Sequence, residues 1–347
     1  MKRLGQFLAA MSLGVVGTGI AFGAQPTTPT VGFASNDTAG SVRYLEKGQP
    51  PVIIHFTVEQ AMSRREARGG QHGPPGGGST KTNNLIYNGG TSGIGVETAP
   101  KIYLVFWGSQ WNNNDPSGEA AILTSFLGAV GGSPWLNSVS QYCQDVAQGT
   151  IFCNGSGTSA GNPSGILLGS WYDTGSAAPR SPKQRDLAAE AVRAAEHFGN
   201  NTTGSNDSVQ YVIATASGYY SRGFGVQYCA WHSYTSSSYG NIAYTNLPYI
   251  TDAGPNCGAN FNGLGANAGI TIVEGHEAAE TITDQFPSGG WIDSSGSENG
   301  DKCAWISEGQ GASADVTLTA DGPTFPVQSL WSNAFNNDSG GCVLSYP

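Results

Sequence analysis

Apolar runs alternate along the chain with long polar, glycine-rich stretches. KIYLVFWG (101–108), VQYVIATAS (209–217) and NIAYTNLPYI (241–250) are short runs rich in β-branched and aromatic residues, the pattern of buried strands. PVIIHFTV (51–58) is strand-like too. PSGEAAILTSFLGAV (116–130) changes to helical spacing behind an acidic first turn. SPKQRDLAAEAVRAAEHFG (181–199) predicts the clearest helix. Ser181 is its N-cap, Pro182 stands in its first turn, Leu187, Ala191, Ala194 and Phe198 form its apolar stripe, and Gly199 stops it. A further helix is expected over 267–284, packed through Ile270, Ile272, Val273 and Thr281. Gly275 in its middle should admit another segment at close range, because glycine there is worse than alanine by about 1 kcal/mol. Beyond it the chain turns glycine-rich, with little regular structure expected. Strand, helix, helix, strand, strand, helix and irregular tail is an order that fits an α+β domain with a mixed sheet.

The N-terminus has a different character. MKRLGQFLAAMSLGVVGTGIAFGAQ opens with Lys2 and Arg3, continues apolar and closes on small residues, the layout of a signal peptide over 1–24. Residues 25–83 carry Arg43, Lys47, Arg64, Arg65, Arg68 and Lys81 and end in a Gly/Pro/Ser-rich run, so a propeptide with a linker is expected there. The main domain is then 84–347, from NLIYNGG onward. No later stretch approaches the roughly 18 continuous apolar residues of a membrane span.

Charge narrows the partners. The whole chain has 15 Lys+Arg against 25 Asp+Glu. From residue 82 onward the count is 7 against 21, a net of 7 − 21 = −14. So acidic a body argues against nucleic acid or an anionic membrane as partner; a protein or peptide substrate and a monomeric chain are expected. The six cysteines, in an exported chain, predict three disulfides. Proximity pairs Cys143 with Cys153, Cys229 with Cys257 and Cys303 with Cys342, and no CxxC pair suggests a thiolate metal site.

Candidate chemistry sits in TIVEGHEAAETITD (271–284). His276 and Glu280 share a helix face one turn apart, with Glu277 about 100° around from His276. That resembles the HExxH zinc helix with a carboxylate replacing the second imidazole. His276 and Glu280 would bind Zn²⁺, and Glu277 would act on water as general base. A catalytic zinc needs a third protein ligand. Glu298, in the loop pinned by Cys303, is the leading candidate, with Asp301, Asp284 and His232 as alternatives. Asp301 could instead orient a ligand imidazole. The same loop, with Asp293, Ser295, Ser297 and Asp301 between glycines, could bind Ca²⁺. His232, in YCAWHSY, could stabilise an oxyanion, as could Tyr234. His197, near a helix end, reads as structural. GTSAG (157–161) matches a serine nucleophile elbow but lacks the strand before it and the helix after it.

The blocks NLIYNGG, KIYLVFWGSQW, WLNSVSQY, YCAWHSY, HEAAETITD and E-x-x-D-x-C resemble bacterial members of the exordium (phosphate-induced protein 1) family over roughly residues 84–345. The resemblance implies a zincin-like catalytic domain with His276, Glu277, Glu280 and Glu298 as its site and His232 beside it. Plant relatives lack the whole HExxE pattern and are growth-associated wall proteins. The expectation is therefore a secreted zinc metallopeptidase, with a non-catalytic extracellular binding protein carrying a structural calcium loop as the alternative.

Overall fold

A computed structural model describes residues 41–67, 83–320 and 322–346. The expected signal peptide and most of the expected linker lie outside the described residues. The fold is mixed α+β, built on a seven-stranded mixed sheet. Its strands are β1 (Val42–Arg43), β2 (Val52–Phe56), β3 (Lys101–Trp107), β4 (Leu167–Asp173), β5 (Val209–Thr215), β6 (Tyr228–Ser237) and β7 (Gly240–Leu247). They lie in the order β1-β2-β6-β7-β5-β3-β4. The half formed by β7, β5, β3 and β4 is parallel, and β6, β2 and β1 add to it antiparallel. Each residue of β5 is buried, as befits a central parallel strand covered on both faces.

Helices α1 (Val58–Ala67), α2 (Glu119–Val130), α3 (Gln184–His197) and α4 (Ala268–Thr283) pack around the sheet. Side chains alternate across a strand, and β6 shows which layer is which. His232 reaches Glu277 of α4, whereas the next residue, Ser233, accepts a hydrogen bond from Gln184 of α3 at 3.4 Å. α3 therefore covers one face of the sheet and α4 the other.

All sixteen residues of α4 are buried, more than its mixed composition suggests. Gly275 explains part of this. A Cβ there would lie 3.1 Å from both Phe126 of α2 and Trp135, so the glycine lets two aromatic rings sit on the helix backbone. Gly275→Val should destabilise the fold by about 1–3 kcal/mol, measured by denaturant titration, because the rings have no space to yield a branched side chain.

The three proximity pairings are the disulfides formed: Cys143–Cys153, Cys229–Cys257 and Cys303–Cys342. Other expectations need correction. The clearest helix begins at Gln184, not near Ser181, because Asp186 Oδ2 accepts from the Lys183 N–H at 2.9 Å and caps the helix there. Strands β1, β4 and β6 are additions. In β4 exposure alternates and Leu168 and Tyr172 face solvent, so its sequence reads as a loop. β6 mixes His, Ser and Thr with aromatics, which hides a buried strand. The tail is less irregular than expected. It forms two short ribbons, Ala314–Thr317 with Thr324–Val327 and Leu330–Ser332 with Gly341–Val343.

Candidate metal centre

α4 brings His276, Glu277 and Glu280 to the sheet side of the helix, where β6 presents His232. Their side chains are completely buried, as is that of Glu298, while Asp301 is 4% exposed. His276 Nε2 stands 3.1 Å from Glu280 Oε1 and 3.8 Å from Asp301 Oδ1. Ligand atoms of these three residues lie within 4.8 Å of one another, close enough for a single ion. A second such group is His232, Glu277 and Glu280, and a third is His55, His276 and Glu277. Glu298 joins none of them. Its Oε1 faces His232 Nε2 at 3.6 Å, and its carboxyl lies against Asp284.

The turn that carries Glu298 and Asp301 reaches α4 because residue 300 is glycine. A Cβ on Gly300 would come within 2.8 Å of His276 Nδ1 and 3.0 Å of Glu280 Oε1. Once there, the turn holds Glu280 directly, since the Asp301 N–H donates to Glu280 Oε1 at 2.7 Å. The Cys303–Cys342 disulfide ties down the chain just after the turn.

Gln328 decides which nitrogen of His276 is free. Its Nε2 donates to the carbonyls of Gly300 and Ser329 at 2.8 and 3.1 Å, which leaves its Oε1 as an acceptor only. That oxygen lies 3.1 Å from His276 Nδ1, so Nδ1 donates to it and Nε2 is left to face Glu280 and Asp301. Gln328→Ala should lower the affinity for an ion held by His276 about 10–100-fold by releasing this imidazole, a loss that competition with a chromogenic chelator would read.

Glu277 is held in a similar way. His232 Nδ1 lies 3.1 Å from Glu277 Oε2, and Glu277 Oε1 has no partner. His276 Nε2, His232 Nε2, Glu280 Oε2 and both oxygens of Glu274 also have no hydrogen-bond partner among the described residues. Buried polar atoms are ordinarily satisfied, at about 1–3 kcal/mol each when they are not. The orphans on His276, His232, Glu277 and Glu280 belong to the groups that could hold an ion, and they suit a cation site.

The charge balance agrees. Burial, opposed by the His232 hydrogen bond, pushes Glu277 up to about 8. Burial and then Glu280 raise Asp301 to about 8, and burial raises Asp284 to about 7. Burial holds Glu274 far above the carboxylate range, and burial with neighbouring Asp284, Glu280 and Asp301 does the same for Glu298. His276 loses affinity for a proton by burial, but Glu280 and Asp301 outweigh that and raise it. Acids packed this closely without a divalent ion must largely hold protons, and an ion would let them ionise.

Other expected residues lie elsewhere. In the Asp293 loop, Oδ1 accepts from the backbone of Ser295 and Ser297, and Lys302 Nζ donates to Oδ2 at 2.9 Å. A lysine thus stands where a calcium ion would have to bind this carboxylate. Tyr234 packs on Phe286, and His197 stacks on Trp171 at 4.0 Å. Ser159 of GTSAG is exposed in a two-residue strand. A surface cavity of about 510 Å³ borders the first turn of α4 at Asn267, Ala268 and Thr271 and contains none of the clustered residues.

Two contributors were not anticipated. Gln328 has no sequence signal, being a lone glutamine in an irregular tail. His55 had one: it interrupts the apolar run VIIHF. It is fully buried, neither ring nitrogen has a partner among the described residues, and its ring lies parallel to that of His276 at 3.7 Å. Compared with known proteins, the chain matches no family model, no curated protein and no solved structure, so the reading of this centre rests on its own residues.

Proposed function

We propose that the protein is a secreted, zinc-dependent endopeptidase with a zincin-like catalytic domain. The observation that carries this reading is the freed Nε2 of His276, aimed at two buried carboxylates one helical turn and one glycine turn away. His276 and Glu280, with Asp301 as the third donor, would hold Zn²⁺. An imidazole with two carboxylates suits zinc better than calcium or magnesium, which prefer oxygen alone. Glu298 is the other candidate for the third position.

When bound, zinc supplies a Lewis acid for the peptide carbonyl and makes water acidic enough to attack near neutral pH. The chain's own residues do the rest. His232 donates from Nδ1 to Glu277 Oε2 and fixes that carboxylate, so that the unpartnered Oε1 takes the proton from the attacking water. The same oxygen then delivers it to the leaving amine. His232 is in this reading a positioning residue, because its Nε2 faces Glu298 and not an oxyanion.

Three disulfides suit an extracellular or other oxidising setting, and among the described residues no helix is long and apolar enough to cross a membrane. The calcium-loop binding protein is the weaker reading because Lys302 already neutralises Asp293. The test is chelation. Hydrolysis of an unfolded protein should vanish with a zinc chelator and return on adding zinc but not calcium. Activity that survives exhaustive chelation would refute the proposal.

A further inference from the structure

His232, His276, Glu277, Glu280 and Glu298 are fully buried and the Asp301 side chain is only 4% exposed, so no substrate reaches the site unless some segment moves. The segment against the site is β2. Its residues Ile53 and His55 pair across from His232 and Ala230 of β6, so both side chains face α4. Without β2, strand β6 would be a sheet edge beside the metal centre. An extended peptide adds to such an edge by main-chain hydrogen bonds, with alternate side chains filling pockets below. β2 makes that arrangement already.

His55 is poorly explained as core. A structural histidine in a strand of Val, Ile, Ile and Phe would be expected to use its nitrogens, yet at full burial neither has a partner among the described residues. It is equally ill-placed as a ligand alongside His276. An ion midway between parallel rings with centroids 3.7 Å apart is up to about 1.8 Å out of each plane, so at the usual bond length of about 2.1 Å it lies as much as roughly 60° off both lone pairs. What the ring does is cover His276. The cover is fastened beyond the strand: Trp305 Nε1 donates to Phe56 O at 2.7 Å and stacks on His55, and Arg65 Nη2 donates to Ala304 O at 2.7 Å.

We propose that residues 41–67 are an intramolecular inhibitor: β2 lies in the groove along β6 that receives the peptide substrate, and His55 caps the metal ligand His276. This rests on the peptidase reading, and it adds that the substrate binds as an extended strand antiparallel to Tyr228–Ser237 and that the enzyme is made inactive. Cutting the chain between residues 68 and 82 releases the occupant.

The experiment uses the full chain with a recognition sequence for a specific protease inserted in 70–80. Before cutting, native-state hydrogen exchange should show the β2 amides opening at least 100-fold more readily than those of β5. After cutting, a labelled peptide of sequence 50–58 should bind, whereas the uncut chain should not take it up. Hydrolysis of an unfolded protein should rise at least tenfold on cutting and fall again when the 50–58 peptide is added. In the uncut chain, His55→Ala should raise hydrolysis several-fold. Protection of β2 equal to that of β5, or peptide uptake that is the same before and after cutting, would overturn the inference and make β2 an ordinary core strand. The exchange and peptide arms need no catalysis. If both succeed while the cut chain remains inert, the occupied groove stands and the peptidase reading fails.

Discussion

Glu277→Gln is expected to cut hydrolysis of an unfolded protein by about 10²–10⁴-fold, the usual worth of a positioned general base. Zinc content should stay at about one ion per chain. The amide is nearly the same shape, and its oxygen can still accept from His232 Nδ1, so the helix, the imidazole and the donor set remain in place. What is lost is the ability of Oε1 to carry a proton. The measurement is a release assay on the activated chain, paired with metal analysis of the same sample. Unchanged turnover would show that another group is the base. Loss of zinc together with activity would place Glu277 in the coordination sphere.

His276→Ala should remove the ion itself. An ion present at about 1,000 times its dissociation constant stabilises the folded state by about 4 kcal/mol, which for a domain this size is roughly 8–16 °C in melting temperature. Wild type should therefore melt at least several degrees higher with zinc than with chelator, and the variant should melt at the same temperature in both. The comparison within each protein cancels the packing lost with the imidazole. It also tests the charge argument. Without an ion, burial raises Asp284, burial and Glu280 raise Asp301, and burial with Asp284, Glu280 and Asp301 raises Glu298, so the cluster holds protons that an ion would displace. A zinc-dependent gain that persists in the variant would move the ion to the His232, Glu277 and Glu280 group.

Much of this arrangement could be read from residue patterns. The i, i+1, i+4 spacing of His276, Glu277 and Glu280 fixes their shared helix, and that helix forms over Ala268–Thr283, within a residue of its expected limits at 267–284. Proximity sufficed for the disulfides because each links segments that pack next to one another. The parts that escaped depend on tertiary contact. Which acid of the 298–301 turn meets His276 is set by a backbone approach that only Gly300 permits, and nothing local distinguishes Glu298 from Asp301. Gln328 matters only because the tail folds back to the helix. β6 escaped because its buried residues include His232 and Ser233, where a core strand would ordinarily show aliphatic ones. His55 was overlooked with the rest of residues 25–83, grouped apart from the domain by charge, although two of its neighbours in β2 are as buried as any core residue.

The most direct measurement is anomalous scattering recorded on either side of the zinc edge from crystals of the full chain grown with zinc. One peak is expected about 2.0–2.2 Å from His276 Nε2, from a Glu280 oxygen and from a carboxylate of the 298–301 turn. A peak on the Asp293 loop, or none within bonding distance of His276 in crystals of chelator-sensitive enzyme, would contradict that expectation.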